Sequence, residues 1–507
     1  MGEYKTPGVY IVEKSAFPNS VVEVETAVPA FIGYTEKALN GTEDLTGKPW
    51  KITSMTDFIQ YFGGMYTPVY TINASQAPDP APTPDPAPTP STSQKSFKLK
   101  STAVEFSIEV KNDYTLYLHM ILYFANGGGP CYIVSVGSYE SEFKAKDFET
   151  AFASLEKVAE PTMVVIPEAV NLQDTDCYAL QQKMVEHCNK MQNRVSILDV
   201  FINKYPAAPT VKMDYVDKFR NGFSTNFPSY AAAYYPYLNT SILSDTDITE
   251  KMIKLGVKLS EFIKKLGWSA PLVMSFKAAF TGEMEETTLS KEVHQALLQN
   301  SIVYQQLIKA VKDDLNCFSP SAAMAGVYCS VDNSRGVWKA PANVTVNSVV
   351  KPSENINDDE QKEMNMPMSG KAVNAIRTFP GEGIKVWGAR TMDGNSQDWR
   401  YINVRRTMIY LEQSVKNAAR AYVFEPNDAG TWINMKCMID NFLRSVWKRG
   451  GLAGATPEDA FEVHVGLGDT MTADDILEGI MRITVLVAVS RPAEFIEITF
   501  QQQMQKS

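Results

Sequence analysis

Between residues 131 and 200 the chain alternates near-continuous apolar runs with amphipathic segments, and few folds accept that alternation. Residues 131–136 (CYIVSV), 162–167 (TMVVIP) and 195–200 (VSILDV) are short and rich in β-branched residues. Between them, 143–159 and 176–192 carry apolar residues at helical spacing. Strands apolar on both faces, with helices between them, predict a parallel sheet covered on both sides. Helical patterning continues through 248–266 and 291–314, so residues 97–315 read as a mixed α/β region.

Two stretches break this pattern. Residues 77–90 read APDPAPTPDPAPTP, in which every second residue is proline. Proline donates no backbone hydrogen bond and fixes φ, so the run predicts an extended polyproline II spacer or surface insert rather than core. A peptide-module ligand is the alternative use of such a run. Residues 351–368 are polar and predict a loop. Beyond it, 384–388, 460–467 and 483–489 read as strands and 404–422, 431–449 and 473–479 as helices, which describes an α+β domain.

The chain has 507 residues, 48 basic and 58 acidic, for a net charge of −10. That balance argues against nucleic acid as the main partner. No apolar run approaches the ~20 residues that span a bilayer, and the first residues, MGEYK, lack the layout of a signal peptide. Cys131, Cys177, Cys188, Cys317, Cys329 and Cys437 are scattered, which predicts reduced and mostly buried thiols in a cytoplasm.

The residues that carry enzyme chemistry are not gathered. His119, His187, His294 and His464 are far apart and outside metal-like motifs. Gly127-Gly128-Gly129-Pro130 precedes a strand, whereas a phosphate-cradling loop follows one, so a tight turn is expected there. One block, 319–344, holds Asp332, Arg335 and Lys339 among Gly326, Gly336 and Pro341. It fits an active-site loop of an α/β enzyme or binding protein. It fits better a structural corner, with Asp332 paired to Arg335, Gly336 at an unusual backbone angle and Trp338 as anchor.

The two ends carry strand-like segments, each after a proline. One contains Val9, Tyr10, Ile11 and Val12, the other Phe495, Ile496, Ile498 and Phe500. A strand needs a partner edge for its backbone donors and acceptors. These ends pair either with the chain's own sheet or with a neighbour's, and the second choice makes the chain a link in a polymer.

Residues 325–343 (AGVYCSVDNSRGVWKAPAN) resemble the signature region of contractile tail sheath proteins, found in phage tails, tailocins and extracellular contractile injection systems. The resemblance extends in order to 6–35 (TPGVYIVEKSAFPNSVVEVETAVPAFIGYT), 124–137 (FANGGGPCYIVSVG), 383–392 (GIKVWGARTM), 399–415 (WRYINVRRTMIYLEQSV) and 491–502 (RPAEFIEITFQQ). The insert at 77–93 departs from it.

The resemblance implies a multidomain α/β and α+β chain without cofactor, metal or catalytic residues. Arms at 1–20 and 491–507 would exchange strands with neighbouring subunits. An inner core of 21–50 and 340–490 would face a rigid tube, and a middle domain of 51–76 and 97–339 would face outward. It also implies a homopolymer that meets an inner tube protein, a baseplate and a terminator or cap, with no nucleic acid and no membrane insertion. Assembly would occur in the cytoplasm of a bacterial host or producer cell, as part of a phage tail or tail-like particle. Asp332, Arg335 and Trp338 become corner residues. Candidate tube contacts are Arg444, Lys448 and Arg449, which end the 431–449 helix, with Arg405 and Arg406 of the 404–422 helix second. The cations also have a purely local use, because positive charge at a helix C-terminus complements its dipole and the following Gly450-Gly451 can cap it.

Overall fold

The computed structural model describes residues 21–76, 95–101, 104–111, 114–205 and 212–498. The expected N-terminal strand with Val9, Tyr10, Ile11 and Val12, the proline-rich insert and Phe500 lie outside the described residues. The chain forms two compact units. The larger comprises 27–334 and 340–402, and the smaller comprises 335–339, 403–498 and the described N-terminal residues 21–26.

The larger unit is built on a nine-stranded sheet. Its order is Val344–Thr345, Gly383–Val386, Val373–Phe379, Ala231–Tyr235, Val195–Asp199, Met163–Val165, Pro29–Thr35, Cys131–Ser138 and Trp50–Ile52. The six strands from Val373–Phe379 to Cys131–Ser138 run parallel, with Ala30 opposite Tyr132, Pro29 opposite Met163 and Ser196 opposite Ala231. The remaining strands add antiparallel edges. All seven residues of Pro29–Thr35 are buried, as expected of a strand covered on both faces.

Helices expected at 143–159 and 176–192 span Ala145–Leu155 and Asp174–Met191. The 291–314 segment is two helices, Lys291–Asn300 and Ile302–Leu315, because the Ser301 hydroxyl accepts from the Tyr304 amide and starts a new helix.

Three local expectations are corrected. Residues 248–266 are not one helix. Ile253–Leu255 is a strand pairing in parallel with Tyr70–Ile72, and only Leu259–Lys265 is α-helical. Residues 351–368 are not a plain loop. Val349–Pro352 pairs with Leu238–Thr240, and Asp358–Asn365 is a helix whose Asn357 and Glu360 form a reciprocal capping box. The 319–344 block is mostly the helix Ser321–Arg335, in which eleven residues are buried.

A second sheet has the order Ile253–Leu255, Val69–Gln76, Val104–Lys111 and Lys95–Ser101. Val69–Gln76 and Lys95–Ser101 both lie antiparallel to Val104–Lys111. Residues 77–94 therefore join two strands of the same direction.

The units divide the chain elsewhere than at the expected domain limits. Residues 27–50 and 340–402, expected in the inner core, carry Pro29–Thr35, the first residue of Trp50–Ile52, Val344–Thr345, Val373–Phe379 and Gly383–Val386 of the large sheet. Their backbone hydrogen bonds fix them there, whatever their place in sequence.

The smaller unit packs the helices Ile402–Ala419 (all but its first residue) and Ala429–Lys448 with a two-stranded sheet, Phe461–His464 against Thr484–Val487. Asp428 caps the longer helix by accepting from the Thr431 amide at 3.0 Å. Met435, Met438, Ile439, Phe442, Leu443 and Val446 form its buried stripe. Phe461 and Val463 join that core, with Val485 and Val487 packed beside them.

Candidate assembly surfaces

The two-stranded sheet in the smaller unit is open. Phe461 and Val463 are buried, while Glu462 and Leu486 point outward, the alternation expected of strands packed on one face. Neither strand has a further strand beside it among the described residues. A two-stranded ribbon is marginal alone, and its outer edges present unpaired backbone groups.

Residues 491–498 follow this sheet and form no strand in the described part. Phe495, Ile496 and Ile498 are 71%, 78% and 69% exposed. Burying one such side chain contributes about 1.5–3 kcal/mol, so three left in solvent mark a surface awaiting a cover.

The root of this C-terminal segment is held firmly. The Ser490 amide and hydroxyl donate to the carbonyls of Gly451 and Gly450, at 3.4 and 3.1 Å, and Asn403 Nδ2 donates to the Ser490 carbonyl at 3.2 Å. Gly450 and Gly451 themselves end the helix Ala429–Lys448. Gly451 N donates to the Val446 carbonyl and Gly450 N to that of Trp447, with Gly450 at φ +87°. A Cβ on Gly451 would lie 2.5 Å from Val446 Cγ1 and 2.9 Å from Trp338 Cε3, so only glycine fits. The capping role expected of this pair is what the backbone shows.

The candidate cations separate into three environments. Arg444 and Lys448 are exposed, one turn apart on the outer face of the helix. Arg449 is already engaged. Its Nη1 and Nη2 donate to the two Glu23 carboxylate oxygens at 3.0 and 2.5 Å, Nη2 also reaches the Tyr410 hydroxyl, and the guanidinium lies 5.4 Å from the Trp338 ring centroid. Burial pulls the Glu23 carboxyl up, but hydrogen bonds from Arg449 and Tyr410 outweigh it and hold it below the usual value. Arg405 and Arg406, the second-choice tube contacts, are only 7% and 4% exposed and so are not surface cations. The first turns of Ile402–Ala419 are buried all round, and Arg406 Nη2 donates to the Thr26 carbonyl at 3.0 Å. Burial also lowers the Arg405 pKa.

Within the expected corner, Asp332 lies 8% exposed in the last turn of Ser321–Arg335, and Arg335 is exposed at its end. Gly336 follows at φ +88°. The Trp338 carbonyl accepts from Asn403 Nδ2 at 2.8 Å. Burial and the Arg335 charge lower the Lys339 pKa.

The carboxyl ends of the parallel strands, where α/β proteins hold ligands, carry two buried carboxylates, Asp199 and Glu168. Asp199 ends Val195–Asp199 and accepts from the Ser321 amide at 2.8 Å, so it serves the amino end of Ser321–Arg335. Burial raises its pKa to about 7 against the lowering effect of its serine partners. Glu168 is fully buried and accepts from the amides of Tyr34, Thr115 and Leu116 at 2.8, 2.6 and 2.9 Å, which fixes the start of the helix Leu116–Ala125. The sequence reading missed both carboxylates, since no motif marks a cap supplied from a distant part of the chain.

Thr115, His119, Lys204, Tyr237, Asp314 and Ser319 help line a cavity of about 20 Å³, room for roughly one water. Burial, with the charge of Lys204, lowers the His119 pKa to about 3. His187 and His294 are also buried, while His464 lies near Glu462 and Asp469. Four of the six free thiols are buried, whereas Cys317 is half-buried and Cys437 exposed. No group of three metal-ligating side chains occurs among the described residues, nor any helix long and apolar enough to cross a membrane.

Comparison with known proteins returns one consistent family. The family model "Phage tail sheath protein central domain" matches residues 144–392 and "Phage tail sheath C-terminal domain" matches 395–503, together well over half of the chain. A tail sheath protein of Vibrio phage KVP40 is 26% identical over 141 residues, 28% of this chain and 21% of that protein. That match spans about a fifth of the curated relative. Among solved structures, the sheath complex of the extracellular contractile injection system PVC in its contracted state is 25% identical. Its TM-score is 0.58, with 99% of each chain covered. The contracted helical sheath of the anti-feeding prophage is 27% identical at TM-score 0.58, covering 99% of this chain and 100% of that one. A chain of the anti-feeding prophage baseplate, 28% identical, matches equally well at TM-score 0.58.

Proposed function

The chain belongs to the contractile tail sheath family, and on that premise we propose that it is the structural subunit of a contractile sheath, polymerising through its terminal arms. The observation that carries the reading is the pairing of an open two-stranded sheet with an adjoining apolar segment left in solvent. Strand addition by a neighbour's arm satisfies both at once. Backbone hydrogen bonds supply affinity, and the alternation of side chains sets register.

Residues 1–20 and 491–507 are read as the two exchanging arms. The smaller unit is read as their acceptor and as the part that meets an inner tube. Exposed Arg444 and Lys448 are the preferred tube contacts. The full arginine set is set aside, because Arg405 and Arg406 are buried and Arg449 is engaged within the subunit. A baseplate partner is supported by the likeness to a baseplate chain, and a cap follows from the need to end a polymer. Assembly in a bacterial cytoplasm belongs to the same proposal, as does contraction driven by repacking of many bistable interfaces rather than by a chemical reaction. The enzyme alternative has no support from the relatives, which are sheath proteins.

Purified full-length protein is expected to form long hollow cylinders in negative-stain images. A monodisperse small oligomer at every salt concentration would overturn the reading.

A further inference from the structure

Resting on the sheath reading, we propose that the turn Arg449–Gly451 is a common root for both terminal arms, with Glu23–Arg449 as the latch that fixes where the N-terminal arm leaves the subunit. The described chain begins at Val21, and four separate anchors hold its first residues. Val21 and Val24 pack on the core of the smaller unit. The Val24 amide donates to Ser414 Oγ at 3.2 Å, and the Thr26 carbonyl accepts from Arg406. Glu23, just before them, meets both prongs of Arg449. Val22, with its side chain 78% exposed, shows that this stretch lies on the surface and is held by these contacts rather than enclosed.

The next two residues of the same turn hold the other arm. Gly450 and Gly451 offer their carbonyls to Ser490, the last residue before the C-terminal segment. Three consecutive residues at one helix end thus bind the bases of both arms. Trp338 stiffens the turn, since its ring lies under the Arg449 guanidinium and against the Gly451 backbone, and Asn403 ties the Trp338 carbonyl to that of Ser490. Arg449 is suited to this use because a guanidinium fork fixes the direction of a carboxylate as well as its distance. Tension arriving through one arm passes to the other through this turn without crossing the rest of the subunit. Arg449 and Glu23 are positioning residues here, acting through the arms.

The test uses full-length protein whose wild type has first been shown to form cylinders, so that failure of the sheath reading is recognised separately. The critical concentration for polymerisation is measured for Glu23→Ala, for Arg449→Met, which keeps the stem over Trp338, and for the double variant. Each single change is expected to raise it about two- to fivefold, as befits a half-exposed ion pair, and the double variant is expected to match the singles. Hydrogen exchange in the dispersed subunit is expected to rise at residues 21–26 while the helix Ala429–Lys448 stays protected. If Arg449→Met does not fold, Glu23→Ala carries the test by the same two readouts. An unchanged critical concentration, additive effects in the double variant, or unchanged exchange at 21–26 would overturn the latch.

Discussion

Phe461 sits opposite Val487 in the two-stranded sheet, and both side chains turn toward the helix Ala429–Lys448. A strand added beside either one would continue this row if it placed an apolar side chain at every second position. In the sequence 491–502, Ile496, Ile498 and Phe500 have that spacing, with Glu497 between the isoleucines.

Replacing Ile496 or Ile498 with proline removes a backbone donor. Each variant should remain a folded, soluble subunit and lose polymerisation by at least an order of magnitude in critical concentration, read by sedimentation. Deleting residues 1–13 should do the same from the other end. Unfolding of the dispersed subunit on deletion, read by circular dichroism, would mean that the segment pairs at home.

Arg444 and Lys448 are free to meet a partner where Arg449 is not. Reversing both to glutamate should weaken co-assembly with tube protein and leave tube-free sheath polymers unchanged, because neither side chain is buried within the subunit. Co-sedimentation at two salt concentrations checks this, since a charge contact fades with screening. Undiminished co-assembly would remove the assignment.

Asp199 gives a pH signature to the larger unit. Its folded pKa is about 7, raised from 3.8. The folded chain therefore keeps a proton that the unfolded chain loses near pH 4. Its contribution to stability is full below pH 4 and declines as pH rises toward 7. Asp199→Asn should abolish that decline. Urea unfolding at pH 5 and pH 8 should show wild type losing roughly 2–4 kcal/mol relative to the variant between the two. Parallel pH profiles would contradict the assignment.

The sequence made the parallel sheet legible because its strands are apolar on both faces and no other setting suits them. Three of them are 131–138, 163–165 and 195–199, each recovered to within a few residues. The helix Ser321–Arg335 was not legible, since its serines, glycine and asparagine read as loop when taken alone. Burial and the carboxylate of Asp199, brought from a strand more than a hundred residues earlier, override that local preference. The buried state of Arg405 and Arg406 was hidden for a related reason. A row of cations on a helical pattern predicts a solvent face, and only the structure shows that the first turns of this helix are buried all round. Arg449 was correctly seen as a helix-end cation, but its partner Glu23 lies 426 positions away and no local pattern could supply it.

Strand addition is the central claim, and a density map of the polymer tests it most directly. Phe461–His464 and Thr484–Val487 should appear inside a larger sheet whose added strands come from neighbouring subunits, one of them carrying Ile496 and Ile498. A sheet that stays two-stranded, or residues 491–503 paired within their own chain, would contradict the account.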